Sequence, residues 1–184
     1  MKKNLIVAAI AAASAFAAFA PAAHAADGKI EFTGLVKAQT CVINGGEANN
    51  DFTVALPPVA TGTLAEAGAW AGRTPFSIKL TECSPDTGEV ATYFEPGSTV
   101  DQGTGALIVD ASDDNSTAKN VQIRLLNNAF APIKAGAEGA AQNSQIAKIA
   151  SGKADLNYFA QYESQGEATA GIANSRVHYT MMYQ

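Results

Sequence analysis

The chain has 184 residues, with 12 Lys and Arg against 17 Asp and Glu and a net charge of −5. An acidic, lightly charged surface argues against nucleic acid and anionic membranes as partners. The length suits one domain with its own apolar core.

The chain opens MKKNLIVAAIAAASAFAAFAPAAHA. Lys2 and Lys3 form a charged start, residues 5–20 an apolar run, and Ala23-His24-Ala25 a small-residue cleavage box. This is the pattern of a secretory signal peptide, cut after Ala25. A membrane helix is the alternative, but the run is short, Ala-rich and interrupted by Pro21. Cleavage removes Lys2 and Lys3 and leaves ten basic against 17 acidic residues, a net of −7.

Residues 26–41 read ADGKIEFTGLVKAQTC. Ile30, Phe32, Val36 and Ala38 occupy alternate positions, with Gly34 as a gap. A period of two predicts a strand with one buried face. The chain's two cysteines are Cys41 and Cys83. In an exported protein a disulfide between them is the expectation. Their spacing is far from C-x-x-C, and His178 is the sole histidine after the leader, so a redox pair or metal site is the lesser reading.

Phe52, Val54 and Leu56 alternate until Pro57-Pro58 stops the run. Residues 60–73 are rich in Gly, Ala and Thr and predict a loop or short helical turn. Phe76, Ile78 and Leu80 alternate up to Cys83, and Ser84-Pro85-Asp86-Thr87-Gly88 has the chemistry of a turn. Strands are predicted over 90–96, over 106–110, and within NVQIRLLN (120–127), where Val121, Ile123 and Leu125 share a face. Residues 127–153 show little periodicity. Leu156, Tyr158, Ala160 and Tyr162 then share one face, and Val177, Tyr179, Met181 and Tyr183 do so in a last strand that runs to the terminus. Short strands separated by Gly, Pro and Asp turns, with no sustained helical period, predict an antiparallel β-sandwich.

Isolated residues receive modest readings. His178, opposite Tyr179, is a solvent-side strand residue. Trp70, among small residues, is a packing anchor, with an adhesive contact as its alternative. The run Asp110-Ala111-Ser112-Asp113-Asp114-Asn115 lacks the order of a calcium loop, and Val121 stands where its twelfth-position Glu belongs. No H-E-x-x-H, G-x-S-x-G or P-loop occurs, so no catalytic residue, metal or cofactor is assigned.

Taken in order, G-x-I-x-F-x-G-x-V (28–36), the cysteine soon after it, FSIKLTEC, VQIRLLN and the block from Gly171 to Tyr183 resemble the type 1 fimbrial pilins, subunits of the bacterial chaperone–usher pathway. In that family a glycine lies fourteen residues from the end and a tyrosine next to last, as Gly171 and Tyr183 do here. The resemblance implies an all-β fold: an incomplete immunoglobulin-like β-sandwich lacking its seventh strand, with an N-terminal donor-strand extension. The implied organisation is a signal peptide over 1–25, the extension over 26–37 and the pilin domain over 38–184.

The implied function is that of a pilus shaft subunit, exported through the periplasm to a fimbrium on the cell surface, polymerised by donor-strand exchange and supporting adhesion. Ile30, Phe32, Gly34 and Val36 would form the donor strand, an instance of β-strand addition. Gly171, Val177, Tyr179, Met181, Tyr183 and Gln184 would form the edge of the groove, held first by a periplasmic chaperone and filled at the outer-membrane usher by a neighbouring pilin subunit. From the residues alone, Gly34 reads first as a bulge in an ordinary edge strand and Gly171 as a turn residue; the resemblance is what assigns them otherwise. A minor or adaptor pilin, and a monomeric secreted carbohydrate-binding sandwich, are the competing functions; an exported hydrolase has no support.

Overall fold

The computed structural model describes residues 29–34, 36, 40–46, 50–111 and 116–184. The predicted leader, residues 26–28 and the acidic positions 113–115 lie outside them. The chain divides into two units, Met1–Val36 and Lys37–Gln184. In the first, the described residues form neither helix nor strand. Ile30, Phe32 and Val36 are 79%, 90% and 98% exposed.

The second unit contains eight strands among its described residues: β1 (Thr40–Ile43), β2 (Trp70–Ser84), β3 (Gly88–Phe94), β4 (Leu107–Ile108), β5 (Val121–Leu126), β6 (Ile146–Ile149), β7 (Ala154–Ser164) and β8 (Tyr179–Tyr183). They form a five-stranded sheet in the order β1-β2-β7-β5-β4 and a three-stranded sheet in the order β6-β3-β8. Every strand pairing is antiparallel. The core lies between the two inner faces. Ile78 and Leu80 of β2, Ile123 and Leu125 of β5, and Leu156, Tyr158 and Ala160 of β7 meet Val90 and Phe94 of β3 and Ile149 of β6. The period-two pattern predicted this face in β2, β5 and β7, because successive side chains leave a pleated backbone on opposite sides. Cys41 and Cys83 are joined in a disulfide that ties β1 to β2.

Four segments depart from expectation. β2 starts at Trp70, inside the predicted loop, because a bulge at Gly72 lets the ladder with β7 continue past the glycine: Ala71 pairs with Tyr162, and pairing resumes at Thr74 with Ala160. Gly72 has φ +67°, and a β-carbon there would press on the Tyr162 ring and Val59. β6 lies within the stretch that lacked periodicity; with four residues and only Ile149 buried, it leaves almost no pattern. The strand predicted over 106–110 contracts to the two residues of β4. Finally, Phe52, Val54 and Leu56 lie in extended chain outside any strand, since residues 51–56 make no backbone hydrogen bond to another described residue.

Two polar side chains complete the framework where the ladders end. The buried Gln142 acts as a surrogate strand residue. Its Oε1 accepts from the Phe94 N–H and its Nε2 donates to the Phe94 carbonyl, both at 2.9 Å. Buried main-chain groups require such partners. Arg124, on the outer face of β5, donates from Nε and Nη2 to both oxygens of Glu163 and from Nη1 to the Thr104 carbonyl.

Candidate functional site: an apolar groove beside an unpaired strand edge

β8 is an edge strand, and its register defines what that edge presents. Residues 179–183 pair with β3 from Tyr179↔Phe94 to Val90↔Tyr183. Glu89 and Gln184 exchange backbone hydrogen bonds, and the Glu95 N–H donates to the His178 carbonyl. Antiparallel pairs alternate between bonded and non-bonded, so the main-chain groups of the even-numbered residues point at β3. Those of Val177, Tyr179, Met181 and Tyr183 point the other way. Among the described residues they have no backbone partner.

The side chains of the same four residues are half-buried against the core, while His178, Thr180, Met182 and Gln184 are exposed. One row of residues therefore supplies both unpaired N–H and C=O groups and an apolar wall. Facing it across an open groove of about 1050 Å3 is the segment 50–56, and the floor is made by core residues including Ile78, Phe94, Leu125 and Ala160. The two walls meet where the Tyr179 hydroxyl donates to the Asn50 carbonyl at 2.8 Å. There Phe52 packs between Tyr179 and Phe76, with ring centroids 6.2 Å apart in each pair. Aromatic side chains carry the contact down to the floor through Phe76, Tyr158 and Phe94.

Burial raises the phenol pKa of Tyr162, Tyr179 and Tyr183, with Asp51 adding to the effect at Tyr179. The three phenols therefore stay neutral and present only ring and hydroxyl to the groove, while Asp51 and Arg176 are the charged groups in its lining. Among the described residues no group of His, Cys, Asp and Glu could hold a metal ion. The chemistry available is apolar burial combined with main-chain hydrogen bonding, the combination that binds an extended strand.

The predicted site residues fall into three places. Val177, Tyr179, Met181 and Tyr183 line the groove together. Gln184 is exposed and continues the β3 pairing through its backbone. Gly171 lies apart from the groove lining, where the chain runs against residues 116–118. A β-carbon on Gly171 would lie 2.3 Å from the Ala118 nitrogen and 2.5 Å from the Ser116 carbonyl oxygen, so only glycine fits this approach. Ile30, Phe32, Gly34 and Val36 are exposed, and nothing lies within 4 Å of a β-carbon built on Gly34. The wall at 50–56 was visible in the sequence only as the Phe52/Val54/Leu56 alternation, with no sign of its position.

The sequence model of the family described as type-1 fimbrial protein, A, matches residues 56–184. The major fimbrial subunit SMF-1 of Stenotrophomonas maltophilia is 54% identical over 168 residues, which are 88% of this chain and 95% of that protein. A fimbrial protein of Escherichia coli is 43% identical over 173 residues, 91% of this chain and 93% of its own length. A structure of a chaperone–usher pilus, determined in a study of rod uncoiling, superimposes with a TM-score of 0.59 at 20% identity, covering 90% of this chain and 100% of that one; this likeness is one of fold, the immunoglobulin-like sandwich. The chain belongs to the type-1 fimbrial protein family of structural fimbrial subunits.

Proposed function

We propose that this chain is the shaft subunit of a bacterial fimbria, with neighbouring copies joined by donor-strand exchange. Residues 1–25 are removed on export to the periplasm, and the segment 26–37 of one copy then fills the groove between residues 50–56 and β8 of the next. The observation that carries the proposal is the groove itself, an apolar slot beside the unpaired backbone of Val177, Tyr179, Met181 and Tyr183. An open sheet edge beside exposed apolar residues is a hazard that a folded protein normally covers, and the same chain carries an exposed strand-like segment with matching periodicity.

The dimensions agree with this pairing. A strand rises about 3.3 Å per residue, so the alternation from Ile30 to Val36 spans about 20 Å and a wall running from Val177 to Tyr183 spans the same. Burying Ile30, Phe32 and Val36 stabilises the joint by about 1.5–3 kcal/mol each. Gly34 meets the groove where no side chain fits. Before the joint forms, a periplasmic chaperone covers the groove and holds the β8 end, including Gln184, and an outer-membrane usher exchanges it for the next subunit. The assembled fibre stands on the cell surface and supports adhesion by forming the shaft. The function is structural, with no catalysis and no cofactor.

The test is deletion of residues 26–36. The shortened subunit is expected to reach the periplasm, form the Cys41–Cys83 disulfide and bind its chaperone, while electron microscopy finds no surface fibres. Fibres of normal length from this variant would refute the donor role. A stable lone monomer in periplasmic extracts of the full chain would favour the carbohydrate-binding alternative.

A further inference from the structure

On the outer face of the five-stranded sheet, away from the inner face that floors the groove, Arg73 has no carboxylate partner among the described residues. A regular strand would send Trp70 and Arg73, three residues apart, to opposite faces. The bulge at Gly72 cancels the difference: Trp70 pairs with Glu163 and Pro75 with Phe159, both outward-facing positions of β7, so Arg73 leaves the sheet on the same side as Trp70. Bulges re-aim side chains in this way.

The Arg73 guanidinium sits 4.1 Å from the Trp70 ring centroid and 5.0 Å from that of Phe130. Its Nε donates to Gln161 Oε1 at 2.8 Å. Phe130 is itself set in place: it adopts φ +61°, unusual for a bulky residue, and its ring stacks on Phe159 with centroids 4.6 Å apart. The two terminal nitrogens of Arg73 have no acceptor among the described residues. The nearby carboxylate, Glu163, is committed to Arg124 through both oxygens. Trp70 and Phe130 remain 53% and 52% exposed, so Trp70 is no buried anchor.

We propose that Trp70, Arg73 and Phe130 form a binding site for a carboxylate-bearing pyranose, the terminal acidic sugar of a glycan. A rigid, unpaired guanidinium fork matches a carboxylate through two parallel hydrogen bonds, and an exposed indole offers a flat apolar surface to the body of a sugar ring. Charge selects the size of the ligand. With the leader removed the chain carries a net charge of −7, which repels polyanions and acidic protein surfaces at long range; a ligand with a single carboxylate on an otherwise neutral ring meets the local cation with a much smaller penalty. The site goes beyond shaft formation, since it gives the shaft its own ligand contact.

Trp70 is the only tryptophan in the chain, so its fluorescence reports on this site alone. Assembled fibres are titrated with methyl β-D-glucuronide, and in parallel with methyl β-D-glucoside and a short Asp/Glu peptide. The glucuronide is expected to change the emission saturably, with the glucoside and the peptide each at least about tenfold weaker. Fibres of Arg73→Gln and Arg73→Lys, checked by electron microscopy, are expected to lose the difference between glucuronide and glucoside. No saturable response in wild-type fibres, equal responses to the two sugars, or tighter binding of the peptide would each overturn the proposal. The comparison between sugars needs only the wild-type protein, and fibres are present in every sample, so a failure here is separate from a failure of donor-strand exchange.

Discussion

Residues 30–36 and β8 carry the same pattern and have opposite fates. Each is a short run with apolar side chains at every second position. In β8 those side chains lie against a core and the even-numbered residues pair with β3. In the N-terminal segment Ile30, Phe32 and Val36 are largely exposed and the described residues form no strand. Residues 51–56 sit between these extremes: Val54 and Leu56 are half-buried, yet their backbone pairs with nothing among the described residues. Periodicity decides which face of a chain is apolar; a neighbour with free N–H and C=O groups decides whether the chain becomes a strand. In the proposed assembly, the strand-like segment of one copy and the β8 edge of the next are the two halves of a joint.

The contrast can be broken most sharply at Gly34. A β-carbon there meets nothing within the subunit, so Gly34→Arg is expected to fold with an unchanged thermal midpoint and to form no fibres by electron microscopy. Unaltered fibres would remove the asymmetry between the two segments. Next in size is Gly171→Ala, on the path into β8. Its new methyl group meets backbone rather than a yielding side chain, and overpacking of this kind costs about 1–3 kcal/mol. Denaturant unfolding of the purified subunit should show that loss, and a change within error would mean that the approach to residues 116–118 relaxes freely.

Met181→Ala and Phe32→Ala form a matched pair on the two segments. Met181 is half-buried in the groove wall, and its truncation is expected to cost the subunit about 1–2 kcal/mol, below the range for fully buried sites. Phe32→Ala is expected to change subunit stability by less than about 0.5 kcal/mol while lowering the resistance of fibres to dissociation in SDS. Equal effects of the two on subunit unfolding would show that the extension already packs within its own chain.

The smallest effect concerns pH. Burial raises the pKa of Tyr158, whose hydroxyl lies 3.2 Å from Ser144 Oγ. The folded state therefore keeps the phenol protonated above the unfolded value near 10. This contribution to stability is fully present below about pH 10 and is lost as pH rises through the higher folded value. Thermal midpoints between pH 9 and 11 should fall for the wild type and fall less steeply for Tyr158→Phe, which keeps the ring contacts with Phe76 and Phe94. Parallel curves would place the alkaline loss elsewhere.

Much of the sandwich was legible because its core strands alternate cleanly, as in Ile78/Leu80, Ile123/Leu125 and Leu156/Tyr158/Ala160. What escaped had a local cause in each instance. β6 is too short to show a period. The start of β2 was hidden by Gly72, which reads as loop chemistry but serves as a bulge. Gln142 replaces a strand residue with a side-chain amide, something no pattern of hydrophobicity encodes. Trp70, read as a packing anchor, stands on the surface because the same bulge turns it outward beside Arg73.

By itself, the sequence determined the class of the fold, the face that each core strand buries, the pairing of the only two cysteines and the presence of a strand-like segment ahead of the domain. These follow from local chemistry and side-chain period, which a one-dimensional pattern records. Tertiary structure alone decided that residues 50–56 and β8 face each other across an unfilled gap, that Gly171 is required by a backbone 2.3 Å from its missing β-carbon, and that Arg73 is caught between two aromatic rings. Each depends on which distant segments become neighbours, and sheet register, rather than composition, determines that.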